Sequence, residues 1–235
     1  MNSGTLYLIP APLGPGDITW IIPPAVQQCI AVLDHYIVER PKTARQFLKQ
    51  IGCVLPLQKI SMQVLDEHTH TREFEKLLAP LLEGNDIGLL SEAGSPAVAD
   101  PGAGLVRLAH QKNIRVVPLV GPSSILLALM SSGLNGQRFT FHGYLPVEND
   151  RRTKKVAELE KNSITNDQTQ IFVETPYRNQ KLLGSILFTC RDSTALCIAC
   201  NLTLTNEFIS TRTIREWKHA LPDVHDKPAI FLLHG

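Results

Sequence analysis

Short apolar runs closed by glycine and proline set the rhythm of the first half of the chain. Thr5-Leu-Tyr-Leu-Ile9 stops at Pro10, Pro12, Gly14, Pro15 and Gly16, which predicts a strand running straight into a loop. Pro23 and Pro24 suit a first helical turn, and Ala25 to Leu33 fills the helix. Tyr36-Ile-Val38 reads as the next strand, Thr43 to Gln50 as a helix stopped by Gly52, and Ile60 to Leu65 as an alternating strand. Phe74, Leu77, Leu78, Leu81 and Leu82 recur at helical spacing over Arg72 to Leu82. Asp86 to Leu90 is then a strand, Gly104 to Lys112 a helix and Ile114 to Leu119 a strand. Regular alternation of strand and helix, with strands that are apolar throughout, predicts a parallel sheet covered on both faces.

A second series follows. Ser123 to Met130 is an apolar helix ending near Gly133, and Arg138 to Phe141 a strand. A helix capped by Asp150 runs to about Lys161, followed by a strand over Gln170 to Val173 and a helix over Asn179 to Leu187. Thr194 to Cys200, Phe208 to Thr211 and Ala229 to Leu233 read as strands, with Ile214 to Ala220 a short helix among them. Consecutive strands without a full helix between them occur only here, so this sheet is expected to be mixed. The predicted fold class is α/β in two domains: residues 1–118 with a parallel sheet and flanking helices, and residues 119–235 with a mixed sheet and helices.

Charge and composition narrow the picture. The 235 residues carry a net charge of +1, so any polyanionic partner has to meet a local basic patch rather than a global field. Five cysteines at irregular spacings read as reduced thiols; Cys197 and Cys200 lack a second pair to complete a structural zinc site and read as core. No metal site is predicted. The N-terminus has no basic region before its apolar segment, and no apolar run approaches the ~18 residues of a membrane span, so a cytoplasmic protein is expected.

The densest cluster of small residues is Ser91-Glu-Ala-Gly-Ser-Pro96 with Asp100-Pro-Gly102, between a strand and a helix. In a parallel sheet that is the carboxyl edge, where ligands bind. Small residues let a ligand approach the backbone, and Glu92 or Asp100 can accept hydrogen bonds from hydroxyl or amino groups. A tight connection with no ligand is the competing reading. Pro10 to Asp17 is a second carboxyl-end loop, and Gly121-Pro-Ser-Ser124 opens an apolar helix with Ser123 placed to cap it. Neither a dinucleotide fingerprint nor a Walker A sequence is present.

Taken in order, Leu8-Ile-Pro-Ala-Pro-Leu-Gly14 with Gly16-Asp-Ile-Thr19, Ser91 to Pro96 with Asp100-Pro-Gly102, Gly121-Pro-Ser-Ser124, Phe141-His-Gly-Tyr-Leu-Pro146 and Phe172-Val-Glu-Thr-Pro-Tyr-Arg178 form a set. This set resembles the tetrapyrrole-methylase superfamily, and within it the branch of ribosomal small-subunit RNA ribose 2′-O-methyltransferases. The resemblance covers about residues 4–235. It implies a homodimeric methyltransferase holding S-adenosylmethionine between two domains. The implied cofactor contacts are Pro10, Ala11, Pro12 and Leu13; Glu92, Ala93, Gly94 and Ser95; Ser123 and Ser124; Val173 and Glu174; Asn201, Leu202 and Thr203; and Pro228, Ala229 and Ile230. The branch's charged motifs differ here: Glu39-Arg-Pro-Lys42 stands for Glu-Asp-Thr-Arg, Asp66-Glu-His-Thr69 for His-Glu-His-Asn, and Asn201-Leu-Thr-Leu204 for Glu-Leu-Thr-Lys. The chain also ends at Gly235, short of the C-terminal segment that longer members carry.

These departures leave three readings: methyl transfer to ribosomal RNA, methyl transfer to a tetrapyrrole or other small acceptor, and a relative that binds RNA or nucleotide without catalysis. His68 and Glu174 are the candidate proton acceptors, against a polar loop residue and a structural pair with Arg178 respectively. His142 reads as a structural histidine. Arg40, Lys42, Arg45 and the cluster Arg151, Arg152, Lys154 and Lys155 are the candidate RNA-phosphate contacts, the cluster otherwise being a solvated helix start.

Overall fold

The computed structural model describes residues 3–235; Met1 and Asn2 lie outside the described residues. The chain divides into two compact units, one ending at Ser123 and the other running from Ser124 to Gly235. The first holds β1 (Thr5–Ile9), α1 (Pro24–Ala31), β2 (His35–Val38), α2 (Pro41–Ile51), β3 (Ser61–Val64), α3 (Phe74–Leu82), β4 (Ile87–Leu90), α4 (Gly102–Gln111) and β5 (Arg115–Pro118). Its five strands are parallel in the order β3-β2-β4-β1-β5. The connection leaving β1 runs over β4 to reach β2, while that leaving β4 runs over β1 to reach β5. Adjacent strands β1 and β4 therefore send their connections in opposite directions, and the loops at their carboxyl ends part there. This is the switch point at which open parallel sheets form a ligand crevice.

Alternation along each strand feeds two cores. Tyr36 and Val38 join Ile9, Phe47, Leu48 and Leu90 on one face. Ile37 joins Leu6, Leu78, Leu81, Leu89 and Leu105 on the other. Central β4 is buried at every position, as its unbroken apolar run predicts.

The second unit holds α5 (Ser124–Ser132), β6 (Phe139–Tyr144), α6 (Asn149–Asn166), β7 (Thr169–Val173), α7 (Asn179–Thr189), β8 (Ala195–Cys200), β9 (Phe208–Thr213), α8 (Ile214–His219) and β10 (Ala229–His234). Its sheet order is β6-β7-β10-β8-β9; only β6 and β7 are parallel, so the sheet is mixed. Phe172 and Phe231 stack at 6.1 Å across β7 and β10, and Trp217 from α8 donates its indole N–H to the Leu196 carbonyl at 2.8 Å. Both Cys197 and Cys200 are buried in β8, three positions apart and hence on opposite faces. That spacing cannot present two thiols to one ion, and burial pushes the Cys200 thiol up to about 11.

Several helix limits differ from those the sequence predicts, and those of α4, α2 and α6 have a clear physical cause. Helix α4 starts at Gly102 rather than Gly104 because Asp100 Oδ1 accepts the Gly102 and Ala97 amides at 2.7 and 2.8 Å, ordering the turn before it. Helix α2 begins at Pro41, whose fixed φ suits a first helical position. Helix α6 is longer at both ends. Glu148, not Asp150, occupies its N-cap position, and Asp167 closes it in the left-handed region at φ 49°, a conformation an aspartate tolerates.

Gly88 sits at the centre of β4 with no room for a side chain. A Cβ there would lie 2.5 Å from Ile9 Cδ1 and 2.9 Å from the Tyr36 ring. Gly88→Ala is expected to destabilise the first unit by about 1–3 kcal/mol through overpacking. Urea unfolding followed by tryptophan fluorescence and circular dichroism checks this; an unchanged midpoint refutes it.

Candidate functional site

The loop after β1 and the loop after β4 meet at the switch point. Ala11 N–H donates to the Gly94 carbonyl at 2.8 Å, and Gly94 N–H donates back to the Ala11 carbonyl at 3.0 Å. Gly94 holds φ +72°, a conformation that a side chain makes costly. A third segment closes on these two. The Ser95 hydroxyl donates to the Pro122 carbonyl at 3.4 Å, and a Cβ on Gly121 would lie 2.2 Å from Pro10 Cγ. Pro10 to Leu13, Glu92 to Ser95 and Gly121 to Ser123 thus form one contiguous surface of the first unit.

Beside this surface opens a cavity of about 340 Å³, lined by the ends of β2 and β4, the loop after β1 and the start of α2. Glu92 and Arg40 belong to its lining, together with Glu39, Thr43, Gln46 and Phe47. The Thr43 hydroxyl donates to Glu92 Oε2 at 3.1 Å, and Arg40 Nε lies 4.0 Å from the same oxygen. Glu39 was not singled out by the sequence. The signal for it was available: it is the first residue past β2 at the carboxyl edge of a parallel sheet. Burial, and then the facing Glu92 charge, hold its carboxyl above the usual range. Burial raises Asp100 too, against the two amides it accepts; its Oδ1 orders the loop.

The second unit gathers three further segments at one end of its sheet. Ile230 pairs with Val173 and Ala229 with Cys200, which sets the start of β10 between the ends of β7 and β8. Asn201 N–H donates to the Pro228 carbonyl at 2.9 Å. Asn201 and Thr203 both adopt positive φ, 51° and 70°; for a β-branched threonine this is a strained conformation of the kind found at ligand-binding segments. The Asn201 side chain is largely buried and lines a surface recess together with Asn206, Phe208 and Asp223.

Other predicted residues stand apart. Glu174 is buried, and its Oε1 accepts the Thr175 amide at 2.7 Å and both Nε and a terminal nitrogen of Arg178 at 3.0 and 2.7 Å. Of the two readings open for it, the structure contains the pair with Arg178. His68 lies in an exposed turn built on Asp66, its side chain 84% accessible, and it does not line the cavity. Arg45 is exposed on α2 outside the cavity lining. His142 bonds Gln170 Oε1 at 2.7 Å, a structural contact.

The basic cluster is not a single surface, and the expectation for Arg152 is corrected. Its side chain is buried, donating to Ser185 Oγ at 2.9 Å, the Val147 carbonyl at 2.7 Å and Asn149 Oδ1 at 2.9 Å. It ties the start of α6 to α7, with its guanidinium held by acceptors of the fold. The i, i+3 and i, i+4 geometry of α6 turns one member of the run inward while Arg151 stays exposed beside Glu148 at 3.0 Å.

Comparison with known proteins agrees with this arrangement. The family described as Tetrapyrrole (Corrin/Porphyrin) Methylases matches residues 5–218. The chain belongs to this family. It is a methyltransferase by that membership. Its curated relatives include a protein named Ribosomal RNA small subunit methyltransferase I from Escherichia coli O157:H7, 32% identical over 92% of this chain and 71% of that protein. A protein of the same name from Vibrio cholerae is 32% identical over 98% of this chain and 77% of its own length. Among solved structures, the methyltransferase CobJ superposes with a TM-score of 0.64 at 17% identity, covering 100% of this chain and 95% of that one. Cobalt precorrin-4 methyltransferase CbiF superposes at 0.61 and 15%, covering 98% and 94%. These structures establish the α/β fold, with its parallel and mixed five-stranded sheets. No helix among the described residues is long and apolar enough to cross a membrane.

Arg152→Ala is expected to lower stability by about 3 kcal/mol, because it removes a buried cation and strands its three acceptors. At temperatures where the variant stays folded, the salt dependence of any RNA binding should equal that of the parent. A changed salt slope with unchanged thermal stability would return Arg152 to the list of phosphate contacts.

Proposed function

We propose that this chain transfers a methyl group from S-adenosylmethionine to a ribose 2′-hydroxyl of ribosomal small-subunit RNA. The observation that carries the proposal is the clustering of the implied cofactor segments. Pro10 to Leu13, Glu92 to Ser95 and Ser123 share one surface of the first unit. Val173 and Glu174, Asn201 to Thr203 and Pro228 to Ile230 share one sheet end of the second, and Ser124 opens α5. Clustering of sequence-distant segments within each unit is expected of ligand-binding surfaces and not of unrelated connections.

When bound, the cofactor supplies an activated methyl group. The protein's task is alignment of donor and acceptor, with a proton acceptor for the hydroxyl. In this reading Asn201 offers its side-chain amide to the cofactor, and the Ala11–Gly94 pair holds two loops of the site in fixed register. The Arg178 pair and the Thr175 amide hold Glu174 in one orientation, so its role is to position the end of β7. RNA as acceptor is favoured by the names of the curated relatives. Arg40, Lys42 and Arg45 at the start of α2, with Arg151, Lys154 and Lys155 on α6, supply the positive charge that its phosphates require. A cytoplasmic homodimer completes the proposal; α5 leaves Leu126 and Met130 exposed, apolar side chains that a second copy would cover.

Titration calorimetry with S-adenosylhomocysteine is expected to show submillimolar binding. Labelled S-adenosylmethionine should pass its methyl group to small-subunit RNA from a strain lacking the chain. Binding without transfer to RNA, but with transfer to a uroporphyrinogen-type compound, would replace the RNA reading. Binding without transfer to either would leave a non-catalytic relative, and no binding would end the proposal. Gly94→Val is expected to weaken S-adenosylhomocysteine binding at least tenfold, chiefly because a β-branched residue resists the backbone's φ of +72° and disturbs the bridge to Ala11. Equal affinity in the variant would remove this loop from the cofactor site.

A further inference from the structure

The cavity at the end of β2 contains two carboxylates, and they are not equivalent. Glu92 already accepts the Thr43 hydroxyl at 3.1 Å and lies 4.0 Å from Arg40 Nε. Glu39 is half-buried and has no side-chain donor among the described residues. It lies in the cavity wall, immediately past β2 and opposite the loop after β4. The cavity is about 340 Å³, the low end of the range for sites that hold a small molecule or a single nucleoside-sized group. We propose that Glu39 is the proton acceptor for the hydroxyl that receives the methyl group, and that this cavity admits the acceptor's sugar.

The inference rests on the methyltransferase reading above and deepens it. As the acceptor oxygen bonds to the methyl carbon, the carbon–sulfur bond of the sulfonium donor breaks and its electron pair stays on sulfur. The hydroxyl proton passes to the Glu39 carboxylate and from there to water, so no further reactant is required. Three charged groups act on it: Glu92 and Asp100 from the loop after β4, which raise its carboxyl, and Arg40 next to it in sequence, which lowers it, as does the Glu92 backbone N–H that it accepts. The lining contributed by the loop after β1, Ala11 to Pro15, carries no charge, and Thr43, Gln46 and Gln50 from α2 are neutral. Burial and Glu92 raise the Glu39 carboxyl, which brings its basicity nearer to working pH. Glu92, held by Thr43 and Arg40, positions the pair and keeps the second negative charge in place.

The test uses the full-length chain with small-subunit RNA and compares parent, Glu39→Gln and Glu39→Asp. Glu39→Gln is expected to lower kcat by about 10²–10⁴-fold, the range for removal of a general base. Affinities for S-adenosylhomocysteine and for RNA should stay within about twofold of the parent. In the parent, kcat should rise with pH through a midpoint above the ordinary glutamate range; Glu39→Asp should keep an acid limb at reduced rate with its midpoint moved from the parent's, because the aspartate carboxyl is intrinsically more acidic, and Glu39→Gln should lose the limb. Carbon-13 NMR of labelled glutamate, assigned by its absence in Glu39→Gln, should show the same raised midpoint without any turnover. If Glu39→Gln methylates RNA within threefold of an active parent, Glu39 is not the base and the methyltransferase reading stands. If it loses S-adenosylhomocysteine affinity in proportion to activity, Glu39 is a cofactor ligand and the inference also fails. A parent that binds S-adenosylhomocysteine and methylates no RNA overturns the RNA reading, and with it a sugar hydroxyl as Glu39's partner. Should Glu39→Gln not fold, the acid limb of Glu39→Asp decides: a limb unmoved from the parent's overturns the assignment.

Discussion

The two-way backbone hydrogen bond between Ala11 and Gly94 is the constraint on which the first unit's site depends. Parallel order places β1 beside β4 and sends their outgoing loops apart; without a tie, both loops would be free to drift from the sheet. A pair of N–H to carbonyl bonds fixes one loop against the other at a separation no side-chain contact would hold so closely. It requires Gly94 in the left-handed region, a thin Pro- and Gly-rich segment opposite it, and Gly121 packed on Pro10 without a Cβ. Three separate glycine and proline clusters therefore answer to one requirement, which is close approach of backbones.

The second unit solves the same problem by strand pairing. Antiparallel β10 lies between β7 and β8, so its first residues are brought beside the last residues of both. The left-handed residues Asn201 and Thr203 then turn the chain sharply after β8. Backbone strain of this kind, two positive-φ residues with one of them β-branched, would cost stability without return in a purely structural turn. It is the second unit's clearest functional signature.

Charges divide by what surrounds them. Arg152 and Arg178 are held by acceptors of the fold, so their positive charge serves α6, α7 and the end of β7. Arg151 and Lys155 form weak surface pairs with Glu148 and Glu158, and Lys154 is exposed, which leaves all three open to exchange for a polyanion. In the cavity of the first unit, two glutamates share one wall, but only one is bonded to neighbouring side chains. Differences of this kind, and not the number of acidic residues, separate a positioning group from a proton acceptor.

The sequence by itself determined the element order, the parallel character of the first sheet and the mixed character of the second, because strand and helix periodicity and the unbroken apolar run of β4 are local properties. It also determined the loops of interest, since glycine and proline between a strand and a helix mark the carboxyl edge whatever the sheet order. Only the tertiary structure decided which members of a charged run face inward. Arg152 and Arg151 are adjacent in sequence and opposite in environment because α7 packs on one side of α6 alone. The start of α4 moved for a different reason: Asp100 accepts the amide three residues before it and the one two residues after it, a side-chain contact that periodicity does not encode. The position of Glu39 just past β2 was legible in the sequence, but its difference from Glu92 appeared only when β2, β4 and the loop after β1 closed around it, since a carboxylate acquires chemical individuality from the groups and the solvent it is kept away from, and those are fixed by the fold.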